Sequence, residues 1–272
     1  MQCLYINLDS AADRRAGVEG SFAAARKDGW SLERIAATDT DYVARAGVQG
    51  SIRPAEKACF LSHRNAVFHS LGHDGPVMII EDDTVFSPKT CAVLDALMAA
   101  PPMPTWDILF ADIGIGNIST MAELALLRTD FDATRRVKTI ALAAVPFFGA
   151  TAYVINGASK AKVLGLLDAV TSFDAAYDLY LRDLVLQGKL EAHAVFPFVT
   201  TSGDLGDASS VQPGSYQTTD LIVSLFRKLT WIDAAAGKHT DALAAIAGTL
   251  SAESKGLGTV WAAMVDKNFK RK

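Results

Sequence analysis

Runs of apolar residues, broken by polar and turn-forming residues, set out the elements of the chain. Leu4 to Leu8 is a short apolar run that predicts a strand. Asp9 and Ser10 follow with helix-cap chemistry, and an Ala/Arg-rich helix is expected to run to about Lys27. Leu32 to Ala37 predicts a second strand. Pro54 suits the first position of a helix that continues from Ala55 to Leu71. Val77-Met78-Ile79-Ile80 is unbroken and apolar, as a strand buried on both faces requires, and it stops at Glu81-Asp82-Asp83. Ser87 and Pro88 open another helix, which ends before Pro101. Trp106 to Phe110 is the next strand.

The second half has a different texture. Val137 to Val145 and Ala150 to Ile155 predict strands separated by Pro146-Phe147-Phe148-Gly149. Helices follow near Ser159–Leu167 and Ala175–Leu186. Ala192 to Val199 predicts a strand ending at a polar loop, Thr200 to Gly214. The last third is helical, over Leu221–Trp231 and Asp241–Leu250. Strands separated by helices imply an α/β fold: a mainly parallel sheet with flanking helices and a helical C-terminal region. The division expected is residues 1–215 as the main domain and 216–272 as a helical extension packed on it.

Composition narrows the class. Half of the 272 residues are hydrophobic and 21% are charged, so a sizeable core is available. A net charge of −4 provides no global attraction for nucleic acid. The basic cluster Lys267–Lys272 reads as a solvated tail, with weak peripheral membrane contact at its inner face as the sharper alternative. Cys3, Cys59 and Cys91 form no disulfide framework. The start has no basic region followed by an apolar one, and no stretch reaches ~18 apolar residues. A cytoplasmic location is expected.

The acidic triplet carries the strongest chemical signal. Three successive carboxylates repel one another unless a positive group joins them. In open α/β sheets, ligands bind beyond the carboxyl ends of the strands. A hard divalent cation, Mn²⁺ or Mg²⁺, takes oxygen ligands and bridges carboxylates to phosphates. Glu81 and Asp83 are the candidate metal ligands. The pattern Glu81-x-Asp83-x-Val85 also approaches that of acidic metal-dependent phosphatases, with glutamate where those enzymes need a nucleophilic aspartate. Cys59 and His63, four apart on one apolar helix face, read as a buried pair rather than a thiolate nucleophile.

Taken in order, several segments resemble glycosyltransferase family 25, which includes lipooligosaccharide galactosyltransferases. They are Tyr5-Ile6-Asn7-Leu8-Asp9 with Asp13-Arg14-Arg15, Arg34-Ile35-Ala36-Ala37-Thr38-Asp39, and Glu56-Lys57-Ala58-Cys59-Phe60-Leu61-Ser62-His63. Ile80-Glu81-Asp82-Asp83, Trp106-Asp107-Ile108-Leu109 and Gly149-Ala150-Thr151-Ala152-Tyr153 continue the series, more weakly through Asp178 and Pro197. The resemblance implies a GT-A type, Rossmann-like fold. It also implies inverting, metal-dependent transfer of a sugar from a nucleotide-sugar donor, often UDP-galactose, to a glycan acceptor. Thr40 stands where the family has glycine, and residues from Tyr216 onward match no part of the pattern. A nucleotide-sugar-binding module without turnover is the non-enzymatic alternative.

From the resemblance, Asn7, Leu8 and Asp39 line the nucleoside pocket. Asp82 is expected on the ribose or metal, and Arg14 on a phosphate or in a structural salt bridge. His63 is expected near the donor or as a buried supporting residue. An inverting transfer also needs a carboxylate to accept the acceptor's hydroxyl proton. Asp178 is the first candidate, with apolar and aromatic neighbours in Tyr177-Asp178-Leu179-Tyr180; charge on the helix dipole is its alternative reading. Asp174 follows, with helix N-capping as its alternative, and Asp112 stands in reserve.

Overall fold

A computed structural model describes residues 1–99, 105–203 and 218–266. In chain order the first half contains β1 (Gln2–Asn7), α1 (Ala12–Ala25), β2 (Ser31–Ala36), α2 (Thr40–Arg45) and α3 (Pro54–Ser70). It continues with β3 (Val77–Glu81), β4 (Thr84–Phe86), α4 (Thr90–Ala99), β5 (Ile108–Phe110), β6 (Gly114–Ile115) and α5 (Ile118–Thr134). The second half contains β7 (Lys138–Ala141), β8 (Phe147–Phe148), β9 (Ala152–Ile155), α6 (Lys160–Asp168), α7 (Tyr177–Leu186), β10 (Ala192–Phe196) and β11 (Thr200–Ser202). Helices α8 (Thr218–Thr230), α9 (Thr240–Thr249) and α10 (Ala252–Val265) close it.

Seven strands form one sheet in the order β2-β1-β3-β9-β5-β10-β7. Pairing is parallel from β2 through β1 to β3, and again between β5 and β10. Strand β9 runs antiparallel between β3 and β5, and β7 antiparallel at the edge. The sheet is therefore mixed but mainly parallel. Val77 to Ile80 lie in its interior, between β1 and β9, and none is exposed.

The pleat sends alternate residues to opposite faces. On one face Leu4, Ile6, Ile79 and Tyr153 pack with Phe60 and Val67 of α3 and with Leu181 of α7. On the other, Cys3, Tyr5, Met78 and Ile80 pack with Val18 and Phe22 of α1 and Leu94 of α4. Two apolar cores therefore sandwich the sheet, and its strands are apolar on both sides for that reason. Polar groups are left to the strand ends, where β3 delivers Glu81–Asp83.

Several expectations need correction. The strand expected over Val137–Val145 is only Lys138–Ala141, because the chain turns where Val145 N–H reaches Leu142 O at 3.1 Å. Phe147 and Phe148 are themselves a short strand, paired with β6. The loop expected from Thr200 begins as strand β11, antiparallel to β4; the rest of it, like the 215/216 boundary and Lys267–Lys272, lies outside the described residues. Asp9 does not cap α1, whose N-cap is Ala11; it pairs instead with Arg34 at 2.5 Å. Helix α8 is tied to the sheet region through Phe198 N–H to Thr230 O at 3.1 Å and Ile232 N–H to Phe198 O at 2.8 Å.

Candidate functional site

The three acidic residues after β3 receive three different environments. Glu81 continues the alternation of Ile79 and so faces α3, where His63 Nε2 lies 3.4 Å from its Oε1. His63 is buried, its Nδ1 is 3.0 Å from the Tyr153 hydroxyl, and that hydroxyl is 2.8 Å from the Tyr177 hydroxyl. The imidazole also stacks on the Tyr177 ring, with centroids 4.2 Å apart. Burial pushes the Glu81 carboxyl up, but the His63 hydrogen bond, with Arg14 and Arg227 nearby, outweighs it and holds it below its usual range.

Asp82 faces the other way. Arg14 of α1 grips its Oδ1 with Nη2 at 2.5 Å and Nε at 2.7 Å, while Asn7 Nδ2 donates to its Oδ2 at 2.7 Å. Asn7 is in turn fixed by Arg15 and Arg34, both of which donate to its Oδ1 at 3.0 Å. Asp82 is thereby a well-compensated structural anion joining β1, α1 and β3.

Asp83 has no comparable support. Arg14 Nη2 stands 3.7 Å from its Oδ2, and its buried Oδ1 has no hydrogen-bond partner among the described residues. Burial, and then the charge of Glu81, push its carboxyl up to about 7 against the pull of Arg14 and Arg227. Nearby, at the carboxyl end of β5, Asp112 is buried and accepts from Arg227 Nη2 at 2.6 Å, while its Oδ1 has no well-aligned hydrogen bond among the described residues, although the buried Thr200 hydroxyl is close enough to favour the carboxylate. Burial raises the Asp112 carboxyl in spite of Arg227.

Four carboxylates thus meet two guanidiniums, and among the described residues two buried carboxylate oxygens remain without a well-aligned donor. When all four acids are ionised, two negative charges lack a counter-charge from these arginines. Buried acceptors in that state are costly. A hard divalent cation matches both the charge and the oxygen donors. Cys59, His63 and Glu81 also bring their ligand atoms within 4.8 Å of one another. Burial, followed by the charges of Glu81, Asp178 and Asp83, drives the Cys59 thiol well above its usual value, so it is no thiolate nucleophile.

The other sequence candidates are distributed as follows. Asp178, half-buried at the start of α7, accepts from Gly149 N–H at 2.7 Å and lies close enough to raise Cys59 together with the acidic cluster. Asp174 does not cap α7, whose N-cap is Ala176. It is exposed, and its carboxylate accepts from Ser51 N–H at 2.8 Å. Asp39 is exposed and caps α2 through Tyr42 N–H at 2.6 Å, while Leu8 offers its carbonyl to Ala11 N–H at 3.0 Å. His63, expected near the donor, is only 1% exposed; it supports Glu81 from beneath rather than facing a ligand. Sequence reasoning did not find Arg227, nor the Tyr153–Tyr177 pair behind His63. Asp112 shared one signal with Glu81, a carboxylate at a strand's carboxyl end.

Residues 1–181 match the sequence model of "Glycosyltransferase family 25 (LPS biosynthesis protein)". No curated protein matches the sequence. Among solved structures, the apo-form glycosyltransferase GlyE of Streptococcus pneumoniae TIGR4 is similar at 8% identity and a TM-score of 0.38, over 70% of this chain and 44% of that one.

Proposed function

Because the chain belongs to glycosyltransferase family 25, we propose that it is a metal-dependent, inverting hexosyltransferase of the GT-A type. It takes galactose from UDP-galactose and adds it to a glycan or lipooligosaccharide acceptor. The observation that carries the metal part is the buried Oδ1 of Asp83, without a hydrogen-bond partner among the described residues, at the carboxyl end of β3 next to Glu81. Asp83 and Glu81 would hold Mn²⁺ or Mg²⁺. Bound there, the ion supplies positive charge to the leaving diphosphate.

The protein's own groups divide the remaining work. His63 fixes the direction of Glu81 through a hydrogen bond that Tyr153 and Tyr177 orient from behind. Arg14 and Asn7 lock Asp82, which holds the turn after β3 and so the placement of its neighbours. Asn7, Leu8 and Asp39, at and just beyond the carboxyl ends of β1 and β2, form the nucleoside side of the pocket. Asp178 is the base: Gly149 N–H fixes one carboxylate oxygen, and the carboxylate accepts the proton of the attacking hydroxyl.

The same reading places the work in the cytoplasm at a membrane surface, where a lipid-linked acceptor resides, and one exposed face fits the surface part. No helix among the described residues is long and apolar enough to cross a membrane. Helix α10 nevertheless exposes Leu257, Val260, Trp261 and Met264, spaced as one helical face, and Lys267, Lys270, Arg271 and Lys272 follow in the sequence.

The decisive experiment follows release of UDP from UDP-galactose with Mn²⁺, with EDTA, and with Asp83→Asn. Turnover that depends on Mn²⁺ and disappears in Asp83→Asn is expected. Full activity in EDTA overturns metal dependence; no turnover with any nucleotide sugar, despite tight donor binding, favours a binding module.

A further inference from the structure

The family match ends at residue 181, yet one side chain from far beyond it returns to the acidic cluster. Arg227 lies in the last turn of α8. Its Nη2 donates to Asp112 Oδ2 at 2.6 Å and to Thr151 Oγ1 at 3.2 Å. The guanidinium is in the field of Asp83 and Glu81 as well.

The pairing with Asp112 is incomplete. A buried arginine and carboxylate gain most from a fork of two parallel hydrogen bonds. Here the contact runs through one nitrogen. Arg227 Nε and Asp112 Oδ1 are both buried and both without a well-aligned partner among the described residues. A donor and an acceptor are thus left over in the same small region as Asp83 Oδ1. One hydroxyl or water could answer one of them, but the donor belongs to a cation surrounded by acids that need a cation themselves. An anionic oxygen that arrives already coordinated to a divalent ion satisfies both demands: the ion meets the carboxylates, and the oxygen meets the guanidinium. A nucleoside diphosphate with its metal has that chemistry.

We propose that Arg227 is a donor-binding residue that meets an anionic oxygen of the nucleotide diphosphate, so that α8 completes a site whose acidic half is built on β3. The proposal rests on the metal and nucleotide-sugar reading above. Helix α8 is placed for this role by its backbone ties to Phe198 on both sides of Trp231.

Titration calorimetry on the full chain tests it, first with Mn²⁺ alone, then with UDP, CDP or GDP in saturating Mn²⁺, using whichever binds wild type most tightly. Arg227→Met should weaken the nucleotide at least tenfold, while Mn²⁺ alone binds as well as before or more tightly, because a positive charge has left the cluster. Arg227→Lys should fall between the two. If Arg227→Met does not fold, the pair Asp112→Asn with Arg227→Met removes both buried charges together and should show the same selective loss. Nucleotide affinity within twofold of wild type in a folded variant overturns the proposal. So does an equal loss of Mn²⁺ and nucleotide, which marks Arg227 as structural. Wild-type protein that binds neither Mn²⁺ nor any of the nucleotides overturns the parent reading instead, and this one with it.

Discussion

Glu81, Asp82 and Asp83 are chemically near-identical neighbours that end in different states, because each side chain points at a different element. Asp82 meets a guanidinium and an amide, Glu81 an imidazole, and Asp83 mostly other acids. Asp83 therefore binds its proton more tightly in the folded chain than in the unfolded one. Below about pH 4 both states are protonated. Between there and about pH 7 the unfolded state ionises first, so stability falls as pH rises through that window. The loss is expected to be at most about 4 kcal/mol. Asp83→Asn has no such proton to lose. In metal-free thermal melts it should gain on wild type by about 4–8 °C between pH 5 and pH 8, and Mn²⁺ should stabilise wild type alone. Equal pH dependence in the two proteins would disprove the strained carboxylate. The acidic triplet itself was legible in sequence, since a strand end is where such a run can be solvated. Which acid would be left unsupported was not, because Arg14, Asn7 and His63 reach the triplet only through long-range packing of α1, β1 and α3.

At the scale of elements, α7 separates the two aspartates considered as the base. Asp178 lies on the helix and touches Gly149 beside β9; Asp174 precedes it and pins the loop after α2. That loop runs so close to Phe173 that a Cβ on Gly50 would stand 2.1 Å from the Phe173 carbonyl oxygen, at a φ of +124. Phe173 N–H donates to Gln49 O at 3.0 Å, and Phe173 O accepts from Ile52 N–H at 3.2 Å. Asp174 thus belongs to a backbone clasp. Asp174→Ala should lower the urea midpoint slightly and leave turnover within a few-fold of wild type. Asp178→Asn should lower turnover by ~10²–10⁴-fold with Mn²⁺-dependent nucleotide affinity nearly unchanged. The reverse pattern would exchange their roles. In the first half β1, β2, α3, β3 and β5 could be read from sequence through a proline or an apolar run, and α1 and α4 were located with shifted starts, whereas α2, β4 and β6 were not read. Strand β9 and its neighbours could be located but not oriented, since the choice of an antiparallel slot between β3 and β5 is made by pairing partners far away in sequence. Helix α5 was missed although Asn117 caps it, because no strong apolar stripe follows the cap.

For the whole molecule, charge is unevenly placed. The chain carries −4 overall, whereas four basic residues stand in the six positions after Asp266. In the sequence that charge follows directly on the exposed apolar face of α10. Each basic residue near an anionic surface contributes about 1 kcal/mol at physiological salt, and the attraction fades within a Debye length. Sedimentation with vesicles containing phosphatidylglycerol should therefore bring down a large fraction of the protein at low salt and release most of it in 0.5 M NaCl. Leu257→Ser with Trp261→Ser should abolish sedimentation without altering nucleotide binding. Binding to neutral vesicles of equal strength would remove the electrostatic half of this account.

Helices α9 and α10 contain no buried residue, and α10 is tied to α5 by the Thr129 hydroxyl bond to Val265 O at 2.7 Å. Local opening costs only what the local contacts supply, so these two helices can unzip while the sheet stays shut. Their amides should exchange with deuterium orders of magnitude faster than those of β1, β3 and β9, which wait for global unfolding. The molecule then melts as two cooperative units rather than one, and a bound surface that protects the amides of α10 would be detectable by its slowed exchange, with no change at the acidic end of β3.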